Sequence, residues 1–301
     1  MSMVVSSIGQ GLLWAILGVA LYLTFRILDF ADMTVEGTFP LGAATAVTAI
    51  THGLNPILAT ILAFVAGSCA GLLTGLMYTK GKIPVLLAGI LVMNACLSVN
   101  LRIMGSANIS LLGKKTIFSN SFLKSLPNYF DSVCVGLILM IVITLLLAFF
   151  LQTDLGQAFI ATGDNPKMAH SLGINTDNMT ILGLVVSNGL IAVGGALIAQ
   201  NNGYADINMG IGIIVIALAS IIIGEVAFGE LTLNQRLVAV ICGSILYRLV
   251  LLIVLQLGFN TNDFNLISSL ILATCLILPS LKNKLHLSNV LKKGLTPYDR
   301  R

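Results

Sequence analysis

Hydrophobic residues in this chain fall into nine long runs separated by short polar breaks. The runs cover residues 8–28, 37–50, 56–78, 84–104, 131–151, 178–200, 210–228, 234–257 and 263–281. A helix that crosses a bilayer needs about 20 apolar residues. The pattern therefore predicts an all-α polytopic membrane protein with about nine transmembrane helices, within a range of eight to ten. The second and seventh runs are short for that task. Residues 1–281 read as a single transmembrane domain and residues 282–301 as a basic tail.

One polar island interrupts the pattern, TDLGQAFIATGDNPKMAHSLGIN at residues 153–175. Residues 157–162 suit a helical turn or two, and Gly163 is placed to stop it. Asp164 is placed to cap a second helix whose first position is Pro166, where a missing N–H is harmless. That helix covers 166–172 and ends at Gly173 as the residue past its C-terminus, with Asp177 set to cap the next span. Phe159, Ile160, Met168, Ala169 and Leu172 give the island an apolar face. Two readings stand at this point: a knob for a soluble partner, or a well-capped loop that only turns the chain around.

Composition agrees with the bilayer. Of 301 residues, 57% are hydrophobic and only 9% charged, against about a quarter charged in soluble domains. The net charge of +4 is too scattered for nucleic-acid binding. Neither the five cysteines nor the three histidines have metal-ligand spacing, so no metal, no cofactor and no catalytic residue is expected. The amino terminus lacks the positive flank of a cleavable signal, and the first run is long enough to remain as a span.

Orientation follows from Lys and Arg. With the island inside the cell, eleven of the 16 basic residues are cytoplasmic: Arg26, Lys80, Lys82, Lys167, Arg236, Lys282, Lys284, Lys292, Lys293, Arg300 and Arg301. Arg102, Lys114, Lys115 and Lys124 lie outside, and Arg248 falls within a span. The amino terminus is expected outside and the carboxyl terminus in the cytoplasm. The longest outer loop, 105–130, offers room for a short amphipathic helix and a surface for an extracellular partner.

An internal echo marks the two short runs. Phe30-Ala31-Asp32 precedes Gly37, and Tyr204-Ala205-Asp206 precedes Gly210, on opposite sides of the membrane. That is the pattern of an inverted repeat, whose short, broken spans line the route. Gly67, Gly71 and Gly75 share one helix face and invite a close neighbour. Arg248 inside a span implies a partner or a watery route, with Tyr247 beside it as a possible donor. Glu36 either faces a passage or, like Asp29 and Asp32, is a cytoplasmic-loop acid capping a helix. Asn94, Asn100, Ser187 and Asn188 can bond across helices or touch a solute. Glu225 and Glu230 are candidates for an ATPase contact or for pairing with Arg236.

The island resembles the coupling-helix region of ABC-transporter permeases of the branched-chain amino acid and ribose class. Gly156, Ala158, Phe159, Ala161, Gly163, Asn165, Pro166, Ala169, Gly173 and Ile174 fit the pattern of that class, while Ile160 stands where the class often has Arg. LDFADMTVEGTFPLGAA at 28–44 is similar to the motif that opens the broken second span of such permeases, and within the class it looks most like those for tryptophan or tyrosine uptake. The likeness covers nearly the whole chain.

The resemblance implies a type II importer fold and a homodimeric permease in the plasma membrane. It also implies two cytoplasmic ABC ATPase subunits, an extracellular or periplasmic substrate-binding protein, and a small-molecule solute. The solute expected first is an aromatic amino acid, with branched-chain amino acids or a sugar as alternatives. Phe159, Gly163, Asp164, Asn165, Pro166, Met168, Ala169, Leu172 and Gly173 would then couple to the ATPase. Glu36, Asn94, Asn188 and Arg248 would lie on the translocation pathway. The chain has no G-x-x-x-x-G-K-[ST] motif, so nucleotide must be handled by another chain. The rivals are a secondary transporter, which needs no elbow and no ATP, and an intramembrane enzyme, for which no nucleophile–base pair appears.

Overall fold

The computed structural model describes residues 2–119, 129–229, 231–257, 266–275 and 277. Glu230, Lys124, the tail at 282–301 and both ends of the predicted ninth run lie outside the described residues. Helix α1 (Ser2–Tyr22) continues into a π-helical turn (Leu23–Ile27). Then follow α2 (Val35–Thr51), α3 (Pro56–Thr79), α4 (Val85–Met104), strand β1 (Asn108–Ser110) and a 3-10 turn (Ile117–Ser119). The second half holds α5 (Phe130–Gln152), α6 (Asp154–Asp164), α7 (Pro166–Ser171), α8 (Thr176–Asn202) and β2 (Tyr204–Asp206). A second 3-10 turn (Ile207–Gly210), α9 (Ile213–Phe228), α10 (Leu233–Gln256) and α11 (Leu266–Cys275) complete it.

Seven of these segments are long and apolar enough to cross a membrane. Helix α2, at 17 residues, is shorter, and α11 is described over ten residues. The predicted runs at 37–50 and 263–281 are therefore the two that the described residues do not extend to full spans. The run at 210–228 is entered through the 3-10 turn Ile207–Gly210 and continues as α9, together one candidate span.

Helices α1 and α8 form the middle of the bundle. Leu13, Ile16, Leu17 and Leu21 of α1 pack with Phe39, Ile191 and Leu197 in one core. Outer faces of α3, α4 and α5 expose Ile57, Ile61, Leu87, Leu145 and Phe149, as expected where the solvent is lipid. The glycine stripe of α3 does what its spacing predicts: Gly67, Gly71 and Gly75 face Asn188, Leu184 and Ile181 of α8 with no room for a Cβ.

Two ends of the bundle can be told apart. At one end Arg26 pairs with Glu225 at 2.9 Å and Lys80 with Asp177 at 3.7 Å. This gathers the ends of α1, α3 and α9 with the start of α8. At the other end β1 and β2 pair antiparallel, with Ile109 opposite Ala205, and Lys114 donates to the Thr51 carbonyl at the end of α2.

Candidate functional site

The polar island folds as two short helices between α5 and α8. Thr153 caps α6, its Oγ1 accepting from the Gly156 N–H. Asn165 caps α7, its Oδ1 accepting from the Met168 N–H at 3.1 Å, and Pro166 follows at the first helical position. Gly173, at φ +86°, turns the chain out.

Three local expectations need correction. The first helix runs from Asp154 to Asp164 and is not stopped by Gly163. A Cβ on Gly163 would collide with the Ile27 carbonyl, so this glycine seats α6 against the π-helical turn that ends the first span. The cap of α7 is Asn165 and not Asp164, which is the last residue of α6; a β/extended backbone at Asn165 frees its side chain to reach Met168. Likewise Asn175, not Asp177, caps α8, accepting from the Asn178 N–H.

The island's apolar face divides in two. Phe159 is 1% exposed, packs beside Phe150 and lies over Gly183, and Ala169 is equally buried. Met168 and Leu172 are 60% and 67% exposed. The first pair anchors the elbow and the second pair faces away from the protein.

The second site lies where α2 and α9 begin. The Asp32 carboxylate accepts from the Thr34 N–H at 2.9 Å and from the Asn188 amide at 2.6 Å. Asn188 sits near the middle of the 27-residue α8, so the turn before α2 lies about halfway up the bundle. Asp206 makes the same local turn, accepting from the Asn208 N–H at 2.7 Å, and its other oxygen accepts from the Asn108 amide. From these two turns α2 runs to the strand end of the bundle and α9 to the elbow end.

Their starts meet inside the protein. The Glu36 carboxylate accepts from the Gly212 N–H at 3.1 Å, at the cap of α9. Pro40 has no N–H to offer the carbonyl four residues earlier, which belongs to Glu36. That freed carbonyl faces Gly210, which has no space for a side chain. Around this contact lies a cavity of about 160 Å³, lined by Glu36, Asn94, Asn100 and Asn208 with Pro40, Met93, Leu97 and Ile211.

Glu36 and Asn94 thus line one cavity, and Asn94 also donates to the Ile90 carbonyl of its own helix. Asn188 does not line this cavity; fully buried, it bonds Asp32, accepts from Thr38 and joins α8 to α2. Arg248 lies elsewhere, its guanidinium 4.3 Å over the Trp14 ring with Nη1 reaching Gln10, in a separate groove between α1 and α10. Tyr247 does not assist it, because its hydroxyl bonds Ser268. Glu225 pairs with Arg26, and Arg236 donates to the Leu231 carbonyl. Ser187 does bond across helices, to the Ala20 carbonyl at 2.7 Å. The structure adds Asn208 and Gly212 to the site and gives Asp32 its partners. Their sequence signal is the FAD and YAD echo followed in each case by a glycine.

A multi-pass bundle with short helices starting in its interior is the architecture of membrane transport subunits. Residues 3–278 match the family described as the branched-chain amino acid transport system permease component. The chain is 39% identical over 289 residues to the tyrosine transport system permease protein of Clostridioides difficile, covering 96% of this chain and 95% of that one. It is 35% identical over 276 residues to an uncharacterized protein of Rickettsia prowazekii, covering 90% and 96%. The autoinducer 2 import system permease protein LsrC of Yersinia enterocolitica is 27% identical over 280 residues, covering 92% and 74%. No solved structure matches. The chain belongs to this permease family, and as a permease of ABC importers it is a transport subunit and not itself an enzyme.

Proposed function

We propose that this chain is the homodimeric permease of an ATP-driven importer for an aromatic amino acid, with tyrosine and tryptophan first. It would cross the plasma membrane nine times, amino terminus outside and carboxyl terminus in the cytoplasm, with α2 and α11 completing the set. The solute follows from the 39% identity to a tyrosine transport permease over almost the whole of both chains. The interior meeting of α2 and α9, running in opposite directions from matching aspartate turns, supports an inverted repeat.

The observation that carries the coupling role is the divided face of the elbow. Phe159, Gly163 and Ala169 tie it to the bundle, while Met168 and Leu172 stand exposed beside it. Leucine and methionine held outward on a capped, anchored helix suit insertion into a groove on a soluble partner. Two cytoplasmic ATPases would take one elbow each. Nucleotide-driven motion there would reach the spans through the Gly163–Ile27 contact and through α8, alternating access around Glu36 and Asn94. An external binding protein would deliver solute at the strand end, where the 105–130 loop emerges.

The test is reconstitution of the permease with its ATPase and binding protein in vesicles. Tyrosine uptake that requires ATP and the ATPase is expected. Uptake by the permease alone would favour a secondary transporter. ATP-dependent uptake of a branched-chain amino acid, with no uptake of tyrosine or tryptophan, would reassign the solute.

A further inference from the structure

We propose that the cavity between α2, α4 and the start of α9 is a subsite for the ammonium end of the transported solute. The proposal deepens the amino-acid reading above and rests on it for the solute class. Its physical argument is the chemistry of the lining.

Asn100 is fully buried, yet its Oδ1 has no hydrogen-bond partner. Its Nδ2 points to the Gly37 carbonyl at 3.5 Å. Exchanging the amide's two ends would set oxygen against oxygen, so the acceptor is the end left unpaired. A buried polar atom without a partner costs about 1–3 kcal/mol; Asn100 has no accessible surface here, so a donor would reach its oxygen and remove that cost as α9 shifts relative to α2. Glu36 contributes a carboxylate to the same wall. One of its oxygens accepts from Gly212, and the other has no hydrogen bond among the described residues. No Lys, Arg or His lines the cavity.

The Asn100 oxygen and the second Glu36 oxygen are open acceptors beside one negative charge, while the amides of Asn94 and Asn208 offer donors and acceptors alike. The two open oxygens match a group with several N–H donors and a positive charge, and they repel a carboxylate. Met93 and Leu97 on the α4 side offer apolar contact to the carbon next to such an amine. The ammonium would sit where the two short helices meet, so a shift of α9 relative to α2 would remake or break its site.

Charge-selective labelling tests this without relying on transport. Leu97→Cys is placed in a background whose five native cysteines are alanine, in the assembled importer. Its modification by cationic aminoethyl and anionic sulfonatoethyl methanethiosulfonate is then compared, each rate normalised to a free thiol. The cation is expected to react about tenfold faster, as charged clefts concentrate counter-ions. Glu36→Gln keeps an oxygen for the Gly212 N–H but removes the charge, and is expected to bring the ratio close to one. Tyramine should slow labelling, and 3-(4-hydroxyphenyl)propionate should not.

A ratio near one in the parent, a ratio unchanged by Glu36→Gln, or protection by the acid but not the amine would overturn the proposal. Asn100→Ser gives a second check, since it shortens the acceptor with little loss of packing, and it should weaken tyramine protection at unchanged yield of folded protein. Unaltered protection would count against the subsite. Should labelling behave as described while the importer carries no amino acid, the subsite would stand and the amino-acid reading would fall.

Discussion

The elbow and the α2–α9 junction break opposite rules. At the elbow, large apolar side chains, Met168 and Leu172, are turned away from the protein on a short, polar-rich segment. At the junction, polar groups gather at a cavity among apolar helices: Asn100 is buried there, Glu36 is half-buried, and Asn94 and Asn208 line its exposed side. On the proposed reading, a partner with an apolar groove would cover the first and a solute with donors would meet the second. The difference would then be between a region that receives a protein from outside the bilayer and one that receives a small molecule within it. Caps and glycines at residues 153–173 fix the elbow locally. The junction is held by contacts between residues more than 150 apart, such as Asp32 to Asn188 and Glu36 to Gly212.

The sharpest way to break the comparison is to detach the elbow from the bundle. Gly163→Val would drive a side chain into the Ile27 carbonyl. ATP-dependent uptake is predicted to vanish while the permease still inserts at near-normal levels, checked by vesicle uptake and membrane immunoblot. Next, Met168→Asp with Leu172→Asp should leave the fold intact, because both side chains are exposed. Uptake is predicted to fall about 30-fold, the effect of losing roughly 2 kcal/mol of contact to a partner, and ATPase binding measured by pull-down should fall with it.

Within the junction, Asp32→Ala strands the Asn188 amide and the Thr34 N–H in the interior. A loss of about 3 kcal/mol is predicted, read as a lower unfolding temperature in detergent. Asp206→Ala makes the same change at the half-buried counterpart and should lose only about 1 kcal/mol; equal losses would contradict the difference in environment. Smallest is Arg248→Ala, which removes the guanidinium from the Trp14 face. About 1 kcal/mol of stability is expected to go, with uptake little changed. A severe loss of uptake would move Arg248 onto the pathway.

How much was legible follows the same division. The second helix of the elbow can be read from sequence to within a residue, because capping is local and Pro166 and Gly173 mark it; the bounds of the first helix and the choice of Asn165 and Asn175 as caps need the backbone. The helix glycines on α3 are likewise readable, since a four-residue repeat states which face is crowded. Glu36 stands out as a charge at the start of a short apolar run. What it meets is not readable, because Gly210 and Gly212 are far along the chain. Asn188 and Arg248 are polar groups within spans whose contacts lie far along the chain. One is paired with Asp32 and the other lies over Trp14, and neither partner is indicated by spacing. The echoed FAD and YAD triplets are the exception, a long-range relation visible in sequence because each repeats the same aspartate turn.

The central claim is that a cytoplasmic ATPase engages the exposed face of the elbow. A photo-crosslinking amino acid at position 168 or 172, in membranes containing the assembled importer, tests it directly, with Leu112 at the strand end as the comparison site. The account predicts crosslinks to the ATPase from 168 and 172 and none from 112. Crosslinks to the ATPase from 112, or to the external binding protein from 168, would contradict it.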